Sequence, residues 1–346
     1  MKKITIFSAL VLGVSGLIAQ DGGPVREVQA VLAMSDGTRR QGFIQNANDQ
    51  ALLFATASGG QGAPVPYTQI AGEGLNKAIF IEERAEALSN ARTQFNAGNY
   101  AEAAAMFGQV ARNYAIILNA PQNFASEAFF YHMESLRRAG QYGSLLQLAE
   151  SKAGQTVESK LGEVYQHPYQ MIKLWGMLGA KKTEDLKAAL EAYQEPVLGE
   201  AKLLPAPKFK EMPPADAAQL SYLRAKVYEA EGDTNNALDD YYRAFTLGHG
   251  YDPLMSKLAM GAAMTMQSED PALAKESERA VAEMQSLAFT FSKRFGTDIM
   301  PEDIRKYAQR PPLPKFVAPP KEEKPAEEAK PAEGDAEKGK AKEKGE

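Results

Sequence analysis

The chain has 346 residues, 44% of them hydrophobic, and its 39 basic and 44 acidic residues give a formal net charge of −5 at pH 7. This charge balance argues against a basic nucleic-acid-binding protein, and the hydrophobic content is enough for a packed core rather than disorder throughout. Because the sequence contains no cysteine, disulfide bonds and cysteine-ligated metal sites are excluded.

The first 20 residues have the pattern of a secretory signal peptide. Lys2 and Lys3 precede an apolar run over residues 4–19, and a polar segment follows. The run is shorter than the about 20 residues that a membrane-spanning helix needs. We predict a signal peptide over 1–19 with cleavage after Ala19, and an uncleaved anchor is the alternative. The protein is then exported, with the periplasm as the predicted location and the outer surface or the extracellular space as alternatives, and no membrane span remains after cleavage.

Residues 24–82 have the pattern of a small β domain. Apolar and β-branched runs alternate with turn signals such as Asp36-Gly37. Five strands are predicted, over residues 25–33, 39–45, 51–56, 64–67 and 77–81. Five short strands in so short a segment predict a small barrel or a rolled sheet.

Three pieces of this segment resemble the small five-stranded barrels of the Sm-like type. They are Asp36-Gly37-Thr38, Gln41-Gly42-Phe43-Ile44 and the run over residues 65–70. Sm-like barrels often bind RNA, but Arg39 and Arg40 form the only basic cluster here, and phosphate binding needs several cations. We therefore predict no nucleic-acid partner, and a packing or protein-contact role for the barrel.

From about residue 81 to residue 307 the apolar period changes from 2 to 3.6, which predicts helices. Ten helical segments are predicted, over residues 85–97, 100–115, 125–139, 144–149, 168–178, 183–193, 215–231, 235–247, 253–267 and 271–295. Because short turns join them, they predict an all-α array.

Internal similarity decides which kind of array this is. Small and large residues recur in a first copy at Ala91, Gly98, Tyr100, Ala103 and Phe107, and in a late copy at Ala225, Tyr228, Gly232, Ala237, Tyr241 and Ala244. A weaker copy runs from residue 129 to residue 142. These copies resemble the tetratricopeptide repeat, in which small residues let two helices approach closely. The glycine spacing is wider than the about 34 residues of a regular array, so we predict an irregular one.

The tetratricopeptide resemblance implies a concave groove that holds a peptide of a partner, lined by the first helix of each repeat. It places on this groove Arg92 and Asn96 of the first copy, Phe130, Glu134, Arg137 and Arg138 of the weak copy, and Tyr222 and Lys226 of the late copy. Arginine and tyrosine often dominate interface energies. We therefore predict these eight residues as partner-binding residues.

Two segments differ in composition from the helical blocks predicted over 83–195 and 215–308. Residues 196–214 are rich in proline and are predicted to form a linker between the blocks. Residues 311–346 consist mainly of Pro, Lys, Glu, Ala and Gly, and such a segment buries too little apolar surface to fold. We predict that it is a disordered, solvated tail.

Motifs for catalysis and for metal binding are missing from the sequence. His132, His167 and His249 have no spacing that would place two ligands on one helical turn, and no Gly-x-Ser-x-Gly motif follows the signal segment. The glycine-rich loop over residues 59–62 lacks the lysine and hydroxyl residue of a phosphate-binding loop. We predict no enzyme, no cofactor and no metal.

The predicted fold class is multidomain α+β: a five-stranded barrel, an irregular tetratricopeptide-like helical domain and a disordered tail. The predicted function is a non-enzymatic periplasmic scaffold or adaptor that binds envelope proteins or peptides in the concave groove. The alternative is a cell-wall or carbohydrate-binding protein that uses the barrel, with the repeats as a spacer. The aromatic residues available for that alternative are Phe43, Phe54, Tyr67 and Phe80.

Overall fold

The computed structural model of the protein describes residues 26–72, 75, 79–81, 84–198 and 212–309, without the side chains of residues 194–198. In these residues an N-terminal antiparallel sheet of five strands is followed by thirteen α-helices. The predicted signal peptide, most of the proline-rich linker and the predicted tail lie outside the described residues.

The sheet contains the five predicted strands. They are β1 (Val28–Ala33), β2 (Arg39–Ala47), β3 (Ala51–Ala55), β4 (Ala63–Pro66) and β5 (Ile79–Phe80), and they pair antiparallel in the order β4-β3-β2-β1-β5. Every second residue of β1 is buried, as a strand with one face on the core requires. Leu32 and Ile44 are fully buried members of that face.

The predicted closure of this sheet into a barrel is not observed. The strand order places β4 and β5 at opposite edges, and no pairing joins them in the described residues. An isolated bridge between Met34 and Ile70 connects the chain after β4 to the end of β1. A barrel has no unpaired edge, so the described architecture is an open sheet.

Between the sheet and residue 198, the structure describes seven helices. They are α1 (Arg84–Asn96), α2 (Tyr100–Asn113), α3 (Phe124–Arg138), α4 (Leu145–Glu150), α5 (Lys152–Lys160), α6 (Glu163–Gly179) and α7 (Thr183–Leu198). The N-terminus of α3 shows how the sequence starts a helix. The side chain of Asn123 accepts a hydrogen bond from the backbone N–H of Ser126 at 2.8 Å, which satisfies one of the free donors of the first turn.

Six helices lie in the described residues after the proline-rich segment. They are α8 (Pro214–Glu231), α9 (Thr234–Gly248), α10 (Pro253–Ser268), α11 (Pro271–Ala274), α12 (Glu278–Phe295) and α13 (Glu302–Arg305). Each of the ten predicted helical segments contains a helix. In the described residues, no helix is both long enough and apolar enough to cross a bilayer.

The main differences between the observed and the predicted helices are two helices that were not predicted, α5 and α13, an earlier start of α6, a later end of α7 at Leu198, and the division of the segment over 271–295. The prediction missed α5, which starts where the side chain of Ser151 accepts from the N–H of Gly154 at 3.0 Å. Helix α6 begins five residues earlier than predicted and contains Pro168. Proline has no N–H to donate to the carbonyl oxygen four residues before it, which here belongs to the exposed Val164. The segment predicted as one helix over 271–295 is two helices, because Glu276 has a left-handed φ of 55°.

The small residues that suggested close helix packing are fully buried. Ala91, Ala103, Ala225 and Ala237 have no accessible surface, and α1 packs on α2 as α8 packs on α9. Gly98, Gly140 and Gly232 end their helices with φ values of 82°, 74° and 77°, in the left-handed region that glycine adopts most readily. The close packing predicted for the four alanines is confirmed.

The sheet and the helices share one continuous hydrophobic core. At the junction, the guanidinium of Arg84 donates to the carbonyl oxygen of Ile79 at 3.0 Å and lies 4.1 Å from the centre of the Phe124 ring. Lys160 of α5 forms an ion pair with Asp49 of the turn between β2 and β3. The start of α1 is therefore fixed against the edge strand β5.

Candidate partner-binding groove

Three of the eight predicted partner-binding residues are buried, which corrects the prediction that they face a groove. Phe130, Arg137 and Tyr222 have 6%, 2% and 7% of their surface exposed. The Phe130 ring packs on Tyr165, and the Tyr222 ring lies nearly parallel to Trp175 at a centroid distance of 5.3 Å. Their sequence positions suit a helix surface, but distant helices cover them.

Glu134 and the two arginines that follow it form an ion-pair cluster inside the helical array. The Glu134 carboxylate accepts from Nε of Arg137 and from Nε of Arg138, both at 2.7 Å. Arg137 also lies 3.5 Å from the carboxylate of Asp252. Burial acts to raise the pKa of Glu134, but the two guanidinium groups outweigh it and the pKa is lowered. These side chains therefore hold helices together.

Lys226 is partly exposed but already has partners. Its Nζ donates to Glu229 at 2.8 Å and lies over the rings of Tyr222 and Tyr241. Burial, followed by the hydrogen bond to Glu229, raises the pKa of the Tyr241 hydroxyl. The predicted residues of the late copy therefore contact side chains of the same copy.

Arg92 and Asn96 are different, because both line an open groove. We define the α1 groove as residues 79–81 together with the face of α1 that carries Arg84, Leu88, Arg92 and Asn96. It has a volume of about 560 Å³. The structure therefore brings these two predicted residues together with the edge of the sheet, a neighbour that the repeat pattern could not indicate.

The polar side of the α1 groove is organised around Arg92. Its side chain is 52% exposed and forms an ion pair with Glu127 of α3, and the hydroxyl of Tyr165 donates to the same carboxylate oxygen at 3.3 Å. Burial and then the nearby Glu127 raise the pKa of Tyr165, so this hydroxyl keeps its proton. Because a guanidinium has five N–H donors, Arg92 can bind a second acceptor while Glu127 fixes its orientation.

The apolar side of the α1 groove is formed by β5 and by Leu88. Ile79, Ile81 and Leu88 are buried beneath it, whereas the ring of Phe80 is 50% exposed. The guanidinium of Arg39 lies 5.7 Å from the centre of this ring. Sequence reasoning did not place Phe80 in the predicted groove, although its position next to a buried isoleucine in a strand indicates that it faces outward.

The aromatic residues considered for carbohydrate binding do not form one exposed surface. Phe54 is buried, Phe43 and Tyr67 are partly buried, and Phe80 is exposed. The Tyr67 hydroxyl donates to the carbonyl oxygen of Asn48 at 2.7 Å, so it stabilises the turn after β2.

The three histidines lie in separate places. Nδ1 of His132 is buried 2.7 Å from the carbonyl oxygen of Ala104, His167 lies 3.5 Å from the carboxylate of Asp216, and His249 lies beside Arg294. In the part of the chain that the structure describes, no group of three or more metal-ligating side chains converges. The α1 groove has no histidine among its described lining residues.

No protein-family model matches this chain, and a search of curated proteins finds no significant sequence similarity. The function proposed below therefore depends on the sequence pattern and on the geometry of the α1 groove.

Proposed function

We propose that this protein is a non-enzymatic adaptor that binds a segment of another protein in the α1 groove. One observation carries the proposal: Arg92 and Asn96, which the repeat pattern assigned to a partner-binding surface, line an open groove of about 560 Å³ beside the exposed ring of Phe80. An arginine and an aromatic ring next to a buried apolar floor are typical of residues that dominate interface energies.

The chemistry of the groove suits binding. Its described lining combines apolar side chains from β5 and α1 with the guanidinium of Arg92, the amide of Asn96 and small hydroxyl side chains. These groups can bury an apolar side chain of a partner and hydrogen-bond to its backbone or to a carboxylate. Among the described lining residues, no nucleophile lies beside a base.

The finer assignments of fold belong to the same proposal. The fully buried small residues and left-handed glycines of α1–α2 and α8–α9 support an irregular tetratricopeptide-like array. The strand order β4-β3-β2-β1-β5 supports a relative of the Sm-like fold with its two edges apart. In this interpretation the sheet forms one wall of the partner-binding groove.

We also propose that the adaptor acts in the cell envelope, on envelope proteins. The basic start and the apolar run over residues 4–19 support export. Mass spectrometry of the protein from its own host tests this step. We expect the mature chain to begin at Gln20, and an intact N-terminus on protein from the cytoplasm would contradict export.

Site-specific photo-cross-linking tests the binding function. A benzoylphenylalanine placed at Phe80 should cross-link a defined partner in intact cells, because this ring is exposed in the groove. The matched control places the same residue at Tyr251, which is also aromatic and is 65% exposed but lies outside the groove. A product from Phe80 that disappears with Arg92→Glu supports the proposal. Identical products from both positions, or none from Phe80, would contradict it.

A further inference from the structure

We propose that the free edge of β5 binds an extended, acidic segment of the partner as an additional β-strand. An apolar side chain of this segment would pack on Phe80, and a carboxylate would pair with Arg92. This inference rests on the proposed function, because it names the chemistry and the binding mode of the segment in the α1 groove.

The two edges of the sheet differ in their capacity to pair with another strand. At one edge, β4 contains Pro64 and Pro66, which have no N–H to donate. Prolines of this kind are a common means of preventing an edge strand from pairing. At the other edge, β5 has no proline, and in the described residues it pairs with β1 alone.

The unpaired edge of β5 opens into the α1 groove. The carbonyl oxygen of Ile79 faces the groove side, where it accepts from the guanidinium of Arg84 at 3.0 Å. A carbonyl oxygen has two acceptor sites, so Arg84 occupies one and the other is left for an N–H of the added strand. Ile79 and Phe80 both line the cavity, whose volume of about 560 Å³ accommodates several residues of an extended chain. Main-chain hydrogen bonds to an edge, with pockets for alternate side chains, are the requirements for strand addition.

The charges at the groove favour an acidic segment. Arg84 and Arg92 line the groove, and the guanidinium of Arg39 lies at the Phe80 ring. The carboxylate of Glu127 forms an ion pair with Arg92. The guanidinium of Arg92 is half-exposed and can accept a second carboxylate in the geometry that arginine favours. Glu82 and Glu83 lie outside the described residues and stay unchanged in every variant below.

Fluorescence anisotropy with the full chain tests this proposal. The probe is a fluorescein-labelled decapeptide of alternating Glu and Val, and its comparison peptide has Lys in place of Glu. We expect the acidic peptide to bind at least about tenfold more tightly than the basic one, because like charges across an interface are unfavourable. Equal binding of the two peptides, or no binding of the acidic one, would overturn the proposal.

Backbone methylation of the acidic peptide tests the binding mode. In an added strand, only alternate N–H groups point toward the edge. N-methylation of one alternating set of residues should therefore abolish binding, and methylation of the other set should leave it within about threefold, since its N–H groups face away from the edge. An equal effect of both methylation patterns would overturn strand addition.

Charge exchange in the protein locates the contact. Arg92→Glu should weaken the acidic peptide about tenfold and strengthen the basic one, whereas Arg279→Glu, at an exposed arginine of α12, should change neither. Equal effects of the two substitutions would overturn the assignment to the groove.

Two further outcomes would show a different occupant and overturn the proposal. One is self-association of the full chain that Phe80→Ser abolishes, which would indicate a second copy. The other is an increase in peptide affinity of about tenfold after deletion of residues 310–346, which would indicate the chain's own C-terminal segment. If Phe80 cross-links a partner but no peptide binds, this inference fails and the proposed function stands.

Discussion

Two buried carboxylates, Glu134 and Asp240, respond to their surroundings in opposite directions. Burial raises the pKa of both, but at Glu134 the guanidinium groups of Arg137 and Arg138 outweigh it and the pKa falls below 4.5. At Asp240 burial outweighs Arg224 and Arg243, so the pKa rises above 3.8. At single residues, therefore, the balance between burial and the attraction of the cationic partners decides the sign of the pKa shift.

These signs predict the pH dependence of stability. Glu134 stabilises the fold at pH values above its unfolded-state pKa, and this contribution is lost as the pH falls through its lowered folded-state pKa. Glu134→Gln should therefore reduce the free energy of unfolding most near pH 7 and least near pH 3, as measured by urea titration at several pH values. Asp240→Asn is the control with the opposite trend, because a raised folded-state pKa contributes stability that is lost as the pH rises. A loss for Glu134→Gln that is the same at every pH would contradict the interpretation.

The Arg224–Asp240 pair gives a second prediction at this scale. Both side chains are 1% exposed, and Nε of Arg224 lies 3.0 Å from the carboxylate. Asp240→Ala removes this carboxylate from a buried guanidinium and should lower the free energy of unfolding by about 3 kcal/mol. Asp185→Ala breaks the exposed pair with Lys182 and should change it by less than about 1 kcal/mol. Equal effects in urea denaturation would contradict the distinction.

At the scale of whole helices, contact distance decides where glycine is required. A Cβ added to Gly176 in α6 would lie 2.6 Å from the backbone nitrogen of Leu146 in α4, whereas a Cβ at Gly261 in α10 meets no atom within 4 Å. Both glycines are inside helices, but only Gly176 is at a close crossing. The same contact of α6 with α4 places Trp175 between the rings of Tyr142 and Tyr222.

These two glycines make a matched pair of variants. Gly176→Ala should lower the free energy of unfolding by about 1 to 3 kcal/mol, because backbone atoms must move to admit the methyl group. Gly261→Ala should raise it by about 0.5 to 1 kcal/mol, because alanine is the better helix former. Thermal unfolding followed by circular dichroism measures both. A destabilising Gly261→Ala would contradict the open surroundings of that position.

At the scale of the whole molecule, contacts between distant segments connect the sheet and both groups of helices. Arg84 joins β5 to α1 and α3, and Lys160 joins α5 to the turn after β2. Arg137 of α3 reaches Asp252, whose carboxylate also accepts from the N–H of Met255 and so caps α10. The hydrophobic core is also continuous from the sheet through both groups of helices.

This connectivity predicts cooperative unfolding. Trp175, the single tryptophan, reports on the helices, and a fluorophore on Leu53→Cys reports on β3 at one site, because the chain has no other cysteine. The two probes should give the same urea midpoint, since the sheet and the helices share their core. Two separate midpoints would show that the sheet and the helices unfold independently.

Much of the local structure follows from the sequence, but the candidate site follows from it only in part. The five strands and the ten helical segments were predictable because apolar periods of 2 and 3.6 act over a few residues. The position of Arg92 and Asn96 on an open face of α1 was predictable, because the repeat pattern assigns a face of that helix, and their role in partner binding stays a prediction. The burial of Arg137 was not, because it requires Asp252, which belongs to a segment far away in the chain.

The sequence by itself determined the five strands and the ten predicted helical segments, because neighbouring residues are enough to set the apolar period. The tertiary structure alone decided that the sheet stays open, that Phe130 and Tyr222 are buried, and that β5 lies beside α1 to form a groove. These outcomes depend on contacts between segments distant in sequence, and a local pattern does not specify which of its outward faces another segment will cover.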